Sequence, residues 1–226
     1  MTPPPLIIVG TGGFARETAD VVIGERDHRS PWDLVGFVDD DPRTHGTLVH
    51  GAKVLGPVEA VADHPDTAVV ICVGSPTNYF SRARIVTRLA LEPERYATIV
   101  HPAASVGPSV RIGRGVVIHA GAVMTADVTI GDHVAVMPGV VLTHDDRVAD
   151  YTTFGSGALV AGAVEIARGA YIGAGARIRE HLRIGAWSLV GMGSIVTHDV
   201  PDAEQWMGSP ARRYATVPVP SDIENG

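Results

Sequence analysis

The apolar positions of residues 1–97 predict strands that alternate with helices. Short apolar runs at Leu6–Val9, Leu34–Val38 and 68–73 are followed by glycine or aspartate, as is typical of buried parallel strands. Between them, Phe14–Glu25 and Ser81–Leu91 carry apolar residues at helical spacing. This alternation predicts a small Rossmann-like α/β domain with a parallel sheet over residues 1–97.

The pattern changes at about residue 100, where apolar residues recur every six positions. A helix repeats after about 3.6 residues and a strand after about 2, so neither period explains a repeat of six. Seventeen consecutive positions at this spacing carry a large apolar residue: Val100, Val106, Ile112, Ile118, Met124, Ile130, Val136, Leu142, Val148, Phe154, Val160, Ile166, Ile172, Ile178, Ile184, Val190 and Val196.

The six-residue period predicts a triangular solenoid, in which each coil holds three short strands and about 18 residues. One apolar residue on each side of a coil points into a narrow interior. We therefore expect a parallel β-helix of five to six coils at residues 98–204. A C-terminal cap and tail follow at 205–226, and the tail is expected to be disordered from Val217. Chance alternation of strands in a β-sandwich is the alternative, but the unbroken register disfavours it.

Composition fits a narrow interior, because aromatic residues make up only 5% of a chain that holds 26 glycines. A net charge of −7 argues against nucleic acid or an anionic membrane as partner. No apolar run approaches the roughly 20 residues that cross a bilayer, so we expect a soluble, cytoplasmic protein. The single cysteine, Cys72, lies in an apolar run and predicts a buried structural thiol.

One hexad, Leu142–Arg147, is more polar than the rest of the predicted solenoid. It places Asp146 where the other hexads have a small or aliphatic residue, and local exceptions of this kind are expected at functional sites. Within this hexad, His144 is a candidate general base at neutral pH, and Asp145 could hold the tautomer of its ring. The alternative is a solvated corner histidine with a capping aspartate.

The 18-residue coil decides which side chains stack above one another. Gly162 lies one coil above His144, at about 4.8 Å, where a glycine leaves open space and a backbone N–H beside the histidine. His198 shares this column but lies three coils away, at roughly 14 Å, which is too far for direct cooperation. His101 and His119 also stack, but the sequence offers no third ligand beside them, so we expect no metal.

The loop after the first predicted strand is rich in glycine. Gly10–Ala15 follows a strand and opens a helix, where glycines permit a tight turn and the close approach of a phosphate. Asp39 and Asp40 follow the second strand, where a carboxylate can bind a ribose or a base. The same pattern fits a dinucleotide fingerprint, so an NAD-binding oxidoreductase module is the competing interpretation. The sheet, however, is too small for two mononucleotide halves.

Taken together, the two halves resemble one branch of the hexapeptide-repeat, left-handed β-helix superfamily. The glycine-rich start, the run Gly36–Asp41 and a prism with a His-Asp pair are similar to the bacterial sugar N-acetyltransferases of the bacillosamine and perosamine pathways and to related sialic-acid O-acetyltransferases. The resemblance implies a left-handed coil, a homotrimer and acetyl-CoA as co-substrate. It makes His144 the general base and Asp145 its partner.

The resemblance also implies which residues bind the two substrates. Contacts of acetyl-CoA fall on Thr153, Ala174 and Met192. The space beside Gly162 would then receive the thioester, with a backbone N–H offered to its carbonyl oxygen. Binding of a nucleotide-linked sugar falls on the N-terminal domain, at Gly12, Gly13, Phe14, Asp39, Asp40 and Gly74. Phe14 and Thr153 stand where members of the family carry histidines.

These features predict an acetyl-CoA-dependent N-acetyltransferase that acts on the amino group of a nucleotide-linked amino sugar. In this hypothesis, His144 deprotonates the amine as it attacks the thioester. Phe14 motivates one alternative, an O-acetyltransferase or an N-acyltransferase whose acceptor carries no nucleotide. A non-catalytic, nucleotide-binding trimeric scaffold is a second alternative, and the His144–Asp145 pair speaks against it.

Overall fold

The computed structural model describes residues 3–24 and 31–224. The chain divides into two compact units. The boundary lies between Val100 and His101, three residues beyond the predicted boundary at residue 97. None of the described helices is long and apolar enough to cross a membrane.

A three-stranded parallel sheet organises the N-terminal unit, with β1 between β2 and β5. The elements are β1 (Pro5–Val9), α1 (Gly13–Ile23), β2 (Asp33–Val38), β3 (Leu48–Val49), β4 (Ala52–Lys53), a 3₁₀ helix (Val58–Asp63), β5 (Ala68–Ile71), α2 (Ser81–Leu89), a 3₁₀ turn (Pro93–Arg95) and β6 (Ile99–Val100). The predicted strands and helices are therefore present, and their ends differ by one or two residues where the structure describes them.

Two of these differences have a local cause. Helix α2 ends at Leu89 because Ala90 turns into the left-handed region, with φ of 44°, and its N–H closes on Val86 O. Helix α1 ends at Ile23, before Gly24, while the predicted end at Glu25 lies outside the described residues. Both ends show the usual way in which a left-handed residue stops a helix.

The core of this unit consists of the sheet and the helix residues packed on it. Strand β1 is buried over Leu6–Val9, as expected for the central strand of a parallel sheet. Cys72 follows β5 and is buried, and burial raises the pKa of its thiol to about 12. The prediction of a buried structural thiol is confirmed.

The second unit is a three-sided prism of two-residue parallel strands. Face A consists of β7 (Ser105–Val106), β10 (Val123–Met124), β13 (Val141–Leu142), β16 (Leu159–Val160), β19 (Arg177–Ile178) and β22 (Ile195–Val196). Face B consists of β8 (Arg111–Ile112), β11 (Thr129–Ile130), β14 (Arg147–Val148), β17 (Glu165–Ile166) and β20 (Arg183–Ile184). Face C contains β9 (Val117–Ile118), β12 (Ala135–Val136), β15 (Thr153–Phe154), β18 (Tyr171–Ile172) and β21 (Leu189–Val190).

Strands on one face pair in register at a spacing of 18 residues, as Val141 does with Leu159. The second residue of each strand is the apolar position of the six-residue repeat, and from Ile118 to Val196 all of these residues are buried. Val100 and Val106 depart from the prediction, since they are 41% and 36% exposed. Val106 lies in the terminal coil of the prism, which has a neighbouring coil on one side only.

The C-terminal residues extend face C instead of forming a separate tail. Strand β23 (Glu204–Gly208) pairs parallel with β21 and antiparallel with β24 (Ala211–Thr216), and a short helix α3 spans Ser221–Glu224. Val217 donates its N–H to Ala203 O at 2.7 Å, and Ile223 is buried. The expectation of disorder from Val217 is wrong for the described residues, because two apolar side chains anchor this segment.

Candidate active site

The predicted His-Asp pair lies on the edge of the prism between faces A and B. The turn Thr143–Asp146 joins β13 to β14, and Asp145 adopts a left-handed φ of 64°, which aspartate tolerates better than most residues. His144 Nδ1 lies 2.9 Å from Asp145 Oδ2, and both side chains are more than 60% exposed. If Nδ1 carries the proton of this bond, the lone pair of Nε2 is available to an incoming acid.

The backbone of Gly162 supports the ring of His144. A Cβ built on Gly162 would lie 2.4 Å from both Cε1 and Nε2 of His144, so only glycine accommodates the imidazole in this position. The stacking predicted from the 18-residue spacing is therefore present. The space that we expected to receive a thioester is filled by the imidazole ring itself.

Asp146 is the last residue of this turn, and its side chain is fully buried. Its Oδ2 accepts the N–H of Thr143 and its Oδ1 accepts the N–H of Val164, each at 2.9 Å. Burial raises the pKa of its carboxyl to about 7, against the opposing effect of these two amides and of the nearby His144. In the sequence, Asp146 stands out as an exception to its hexad, but no pattern there indicates its role.

The predicted acetyl-CoA contacts lie elsewhere on the same prism. Thr153 begins β15 on face C, whereas Ala174 and Met192 lie on the edge between faces C and A. Met192 is 80% exposed, an unusual value for a long apolar side chain. A single chain does not bring these three residues to the edge that carries His144.

The histidine pair considered for a metal has a different character. His119 is buried, and desolvation together with the nearby charge of His101 lowers its pKa to about 4, so its ring is neutral at physiological pH. His101 Nδ1 accepts the N–H of Ala103 at 2.9 Å. Within residues 3–24 and 31–224, no three histidine, cysteine or acidic side chains are grouped so that they could hold a metal ion.

The N-terminal unit has a cavity of about 460 Å³ at the carboxyl ends of its three parallel strands. Because β1 is central, the loops after β1, β2 and β5 meet at one edge of the sheet, where α/β proteins usually bind ligands. Gly10, Asp39, Asp40 and Gly74 line the cavity. Gly10 has φ of 103°, and a Cβ there would lie 2.8 Å from Cys72 O, so this loop requires glycine.

The two aspartates of this cavity are held in place by their neighbours. Asp39 accepts the hydroxyl of Thr11 at 2.7 Å, and Asp40 accepts Arg88 Nη2 at 2.7 Å and the N–H of Val58 at 3.1 Å. Burial tends to raise the pKa of Asp40, but the bonds to Arg88 and Val58 outweigh it and lower the pKa. Asp39 and Asp40 thus present ordered carboxylates to the cavity.

Some predicted residues of this unit lie outside the cavity, and several cavity residues were not predicted. The residues that line the cavity do not include the start of helix α1, namely Gly12, Gly13 and Phe14. The residues that sequence analysis missed follow β5 or lie on helix α2: Ser75, Asn78, Ser81, Arg84 and Arg88. Two arginines four residues apart, on the helix that follows the third parallel strand, are the signal that could have identified this side of the cavity.

The chain is similar to one family of N-terminal domains and to one curated enzyme. The family model of the PglD N-terminal domain matches residues 5–89. Over 116 residues, or 49% of each chain, the sequence is 36% identical to UDP-N-acetylbacillosamine N-acetyltransferase of Bacillus subtilis (strain 168). The match thus spans about half the length of this curated relative.

Solved structures match over almost the whole chain. PerB from Caulobacter crescentus, in complex with CoA and GDP-perosamine, has a TM-score of 0.81 at 27% identity, with 95% of this chain and 99% of PerB covered. The acetyltransferase domain of PglB from Neisseria gonorrhoeae FA1090, in complex with acetyl coenzyme A, has a TM-score of 0.80 at 25% identity, with 94% and 100% covered. Both units therefore have counterparts within single relatives.

Proposed function

Because the chain belongs to the family of hexapeptide-repeat, left-handed β-helix sugar N-acetyltransferases, we propose that it transfers an acetyl group from acetyl-CoA to the amino group of a nucleotide-linked amino sugar. The observation that carries this proposal is the exposed His144–Asp145 pair, bonded at 2.9 Å, in a chain similar along nearly its whole length to PerB in complex with CoA and GDP-perosamine.

In the proposed reaction, the amine nitrogen attacks the thioester carbonyl and His144 Nε2 accepts the proton that the nitrogen loses. Asp145 keeps the proton of the ring on Nδ1 and stabilises the imidazolium that forms. The C–N bond forms and the C–S bond breaks. The CoA thiolate leaves and takes the proton from the His144 imidazolium, which returns the ring to its neutral form. A backbone N–H near Gly162 is our candidate donor to the developing oxyanion.

For the acceptor, we propose that the N-terminal cavity binds the nucleotide. Its lining combines the carboxylates of Asp39 and Asp40, which suit ribose or base hydroxyl and amino groups, with Arg84 and Arg88. Guanidinium groups beside a glycine-lined loop suit the two phosphates of a sugar nucleotide. Gly12, Gly13 and Phe14 remain candidate contacts from the helix start.

For the assembly, we propose a homotrimer in which a second copy covers face A. Four of the six outward residues of that face are aliphatic, and the full set is Ser105, Val123, Val141, Leu159, Arg177 and Ile195. The outward residues of face B include no aliphatic side chain: Arg111, Thr129, Arg147, Glu165 and Arg183. An aliphatic face beside a charged one favours burial of the aliphatic face. A partner copy would also supply Thr153, Ala174 and Met192 to the edge that carries His144.

We place the reaction in the cytoplasm, where acetyl-CoA is available.

A panel of acceptors tests the proposal. Nucleotide-linked 4-amino sugars with different bases, the corresponding free amino sugars and their hydroxy analogues are each incubated with acetyl-CoA, and thiol release is followed. We expect turnover with a nucleotide-linked amine, and mass spectrometry should place the acetyl group on nitrogen. Turnover only with hydroxy acceptors, or equally with free sugars, would favour the alternative that Phe14 motivates. No turnover and no CoA binding in calorimetry would favour a scaffold.

A further inference from the structure

The buried carboxyl of Asp146 has no part in the proposed reaction. Among the described residues it is the only fully buried aspartate or glutamate. The other positions of the same kind in the six-residue repeat hold aliphatic or small side chains, such as Val128 and Val164. A carboxyl in this environment is unfavourable unless its oxygens are bonded. Its two partners therefore indicate what it does.

Directly before His144, a bond to Asp146 replaces one of the regular backbone hydrogen bonds between neighbouring coils. Elsewhere on this edge the residue after the strand donates its N–H to the next coil, as Thr125 does to Leu142 O at 3.1 Å and Ala161 does to Ile178 O at 3.0 Å. Thr143 differs, because its N–H turns to Asp146 Oδ2. Its hydroxyl instead donates to the carbonyl of the next coil, Val160 O, at 3.1 Å.

We propose that Asp146 is a positioning residue for His144, whose carboxyl ties the backbone that carries the imidazole to the backbone on which the imidazole lies. Thr143 immediately precedes His144, and Val164 follows Gly162 by two residues, so one carboxyl fixes both sides of the ring's seat. Asp146 touches no substrate. It acts through the orientation of the imidazole over Gly162, and its kinetic effect rests on the proposed function.

A positioning role and a stabilising role predict different results when Asp146 is replaced. If Asp146 is replaced by alanine, Thr143 can donate its N–H to Val160 O, as its neighbours Thr125 and Ala161 do in their coils. Val164 also loses its acceptor, but its N–H can turn to the carbonyl three residues earlier, as Ala158 does to Gly155 O at 3.2 Å. The variant then regains regular solenoid geometry and loses a buried carboxyl, so its folding should not suffer. What it loses is the diverted backbone before His144.

The test compares Asp146→Ala and Asp146→Asn with Ser188→Ala. Ser188 is a matched control, because it is fully buried at the same position of its hexad and its hydroxyl donates to Gly185 O, away from the His144 edge. For Asp146→Ala we expect a kcat at least about tenfold below wild type, KM values within about twofold, and an unchanged or higher Tm.

Asp146→Asn should recover part of the kcat, because its amide oxygen still accepts one of the two N–H groups. Ser188→Ala should keep the wild-type kcat. A lower Tm with wild-type kcat in Asp146→Ala would overturn the inference and leave Asp146 a purely structural residue. An equal loss of kcat in Ser188→Ala would overturn it as well.

A second readout is independent of turnover. The Cε1–H resonance of His144 reports where the imidazole lies, and we expect it to move in Asp146→Ala but not in Ser188→Ala. If the wild-type protein turns over no acceptor in the panel, the proposed function fails and this resonance alone decides the inference. An unchanged His144 resonance in Asp146→Ala would contradict it.

Discussion

At the scale of single residues, the site depends on the contact between the ring of His144 and the backbone of Gly162. The spacing of 18 residues was enough to predict that these two positions stack. It could not show that the ring itself occupies the space, because a side-chain rotamer is not encoded in a spacing. Ala126 holds the same hexad position one coil below His144, so this edge tolerates a Cβ where no ring needs the space.

Gly162→Ala should therefore reduce activity without unfolding the protein. The added Cβ would lie 2.4 Å from the imidazole, so the ring must leave its position, and we expect kcat to fall by at least about tenfold. Thiol release measures the loss, and thermal unfolding checks the fold. In a His144→Ala background the same substitution should add no further loss. A full additional loss there would mean that Gly162 acts independently of the ring.

His119 should make stability depend on pH in the acidic range. Its pKa is lowered to about 4 in the folded protein, while an unfolded histidine titrates near 6.5, so between these values the unfolded chain binds more protons. Stability is therefore lost as pH falls from about 6.5 to 4, by up to about 3 kcal/mol.

Urea unfolding at several pH values measures this effect. His119→Gln should flatten the dependence between pH 6.5 and 4, because the group that titrates is gone. His181→Gln, which removes an exposed histidine, is the control for the substitution itself. Parallel curves for wild type and His119→Gln would show that another group causes the acid sensitivity.

At the scale of elements, the edge between faces B and C carries a column of aromatic and basic side chains that lies outside the interior of the prism. The rings of His133 and Tyr151 stack with centroids 5.3 Å apart. The guanidinium of Arg168 lies 5.0 Å from the Tyr151 ring and 6.0 Å from the Trp187 ring. Gly169 leaves room for the indole, since a Cβ there would lie 2.0 Å from it. The large rings thus pack outside a narrow core.

Trp187→Ala should destabilise the prism without affecting catalysis. The indole is only 6% exposed, and loss of a packed aromatic ring and its contact with Arg168 should lower the free energy of unfolding by about 3 kcal/mol. Denaturant unfolding measures the change, with Tyr214→Ala as a control because Tyr214 is 68% exposed. A wild-type unfolding midpoint for Trp187→Ala would show that the column contributes nothing.

The six-residue repeat predicted the prism well because each coil contacts only its neighbours, so local spacing determines the fold. The repeat carries no information about the chain beyond it. Residues 204–216 leave the hexad and form a hairpin on face C, which requires a long-range pairing that no period signals. Asp146 was visible as an exception, but its partner Val164 lies one coil away, and only the structure shows their bond.

At the scale of the whole molecule, the proposed site needs more than one chain. His144 lies on the edge between faces A and B, while the predicted acetyl-CoA contacts Ala174 and Met192 lie on the edge between faces C and A. A second copy packed on face A would bring the two sets together and cover aliphatic residues of that face. Assembly and activity should therefore be lost together.

Leu159→Asp tests this coupling. Leu159 points outward from face A and is 36% exposed, so a charge there should prevent a second copy from packing. We expect sedimentation equilibrium to show a trimer of the 23.7 kDa chain for wild type and a monomer with greatly reduced turnover for the variant. Thr129→Asp, on the outward side of face B, should remain trimeric and active. A monomeric wild type, or a trimeric Leu159→Asp, would contradict the proposed assembly.

The central claim is that His144 removes the proton of the attacking amine, and its most direct test is the kcat of His144→Ala for acetyl transfer. The matched control is His198→Ala. His198 occupies the same hexad position as His144 three coils away, and its Nδ1 has a separate partner, the Thr197 hydroxyl at 3.0 Å. We predict a kcat at least about 100-fold below wild type for His144→Ala and a wild-type kcat for His198→Ala. Full turnover by His144→Ala would contradict the account.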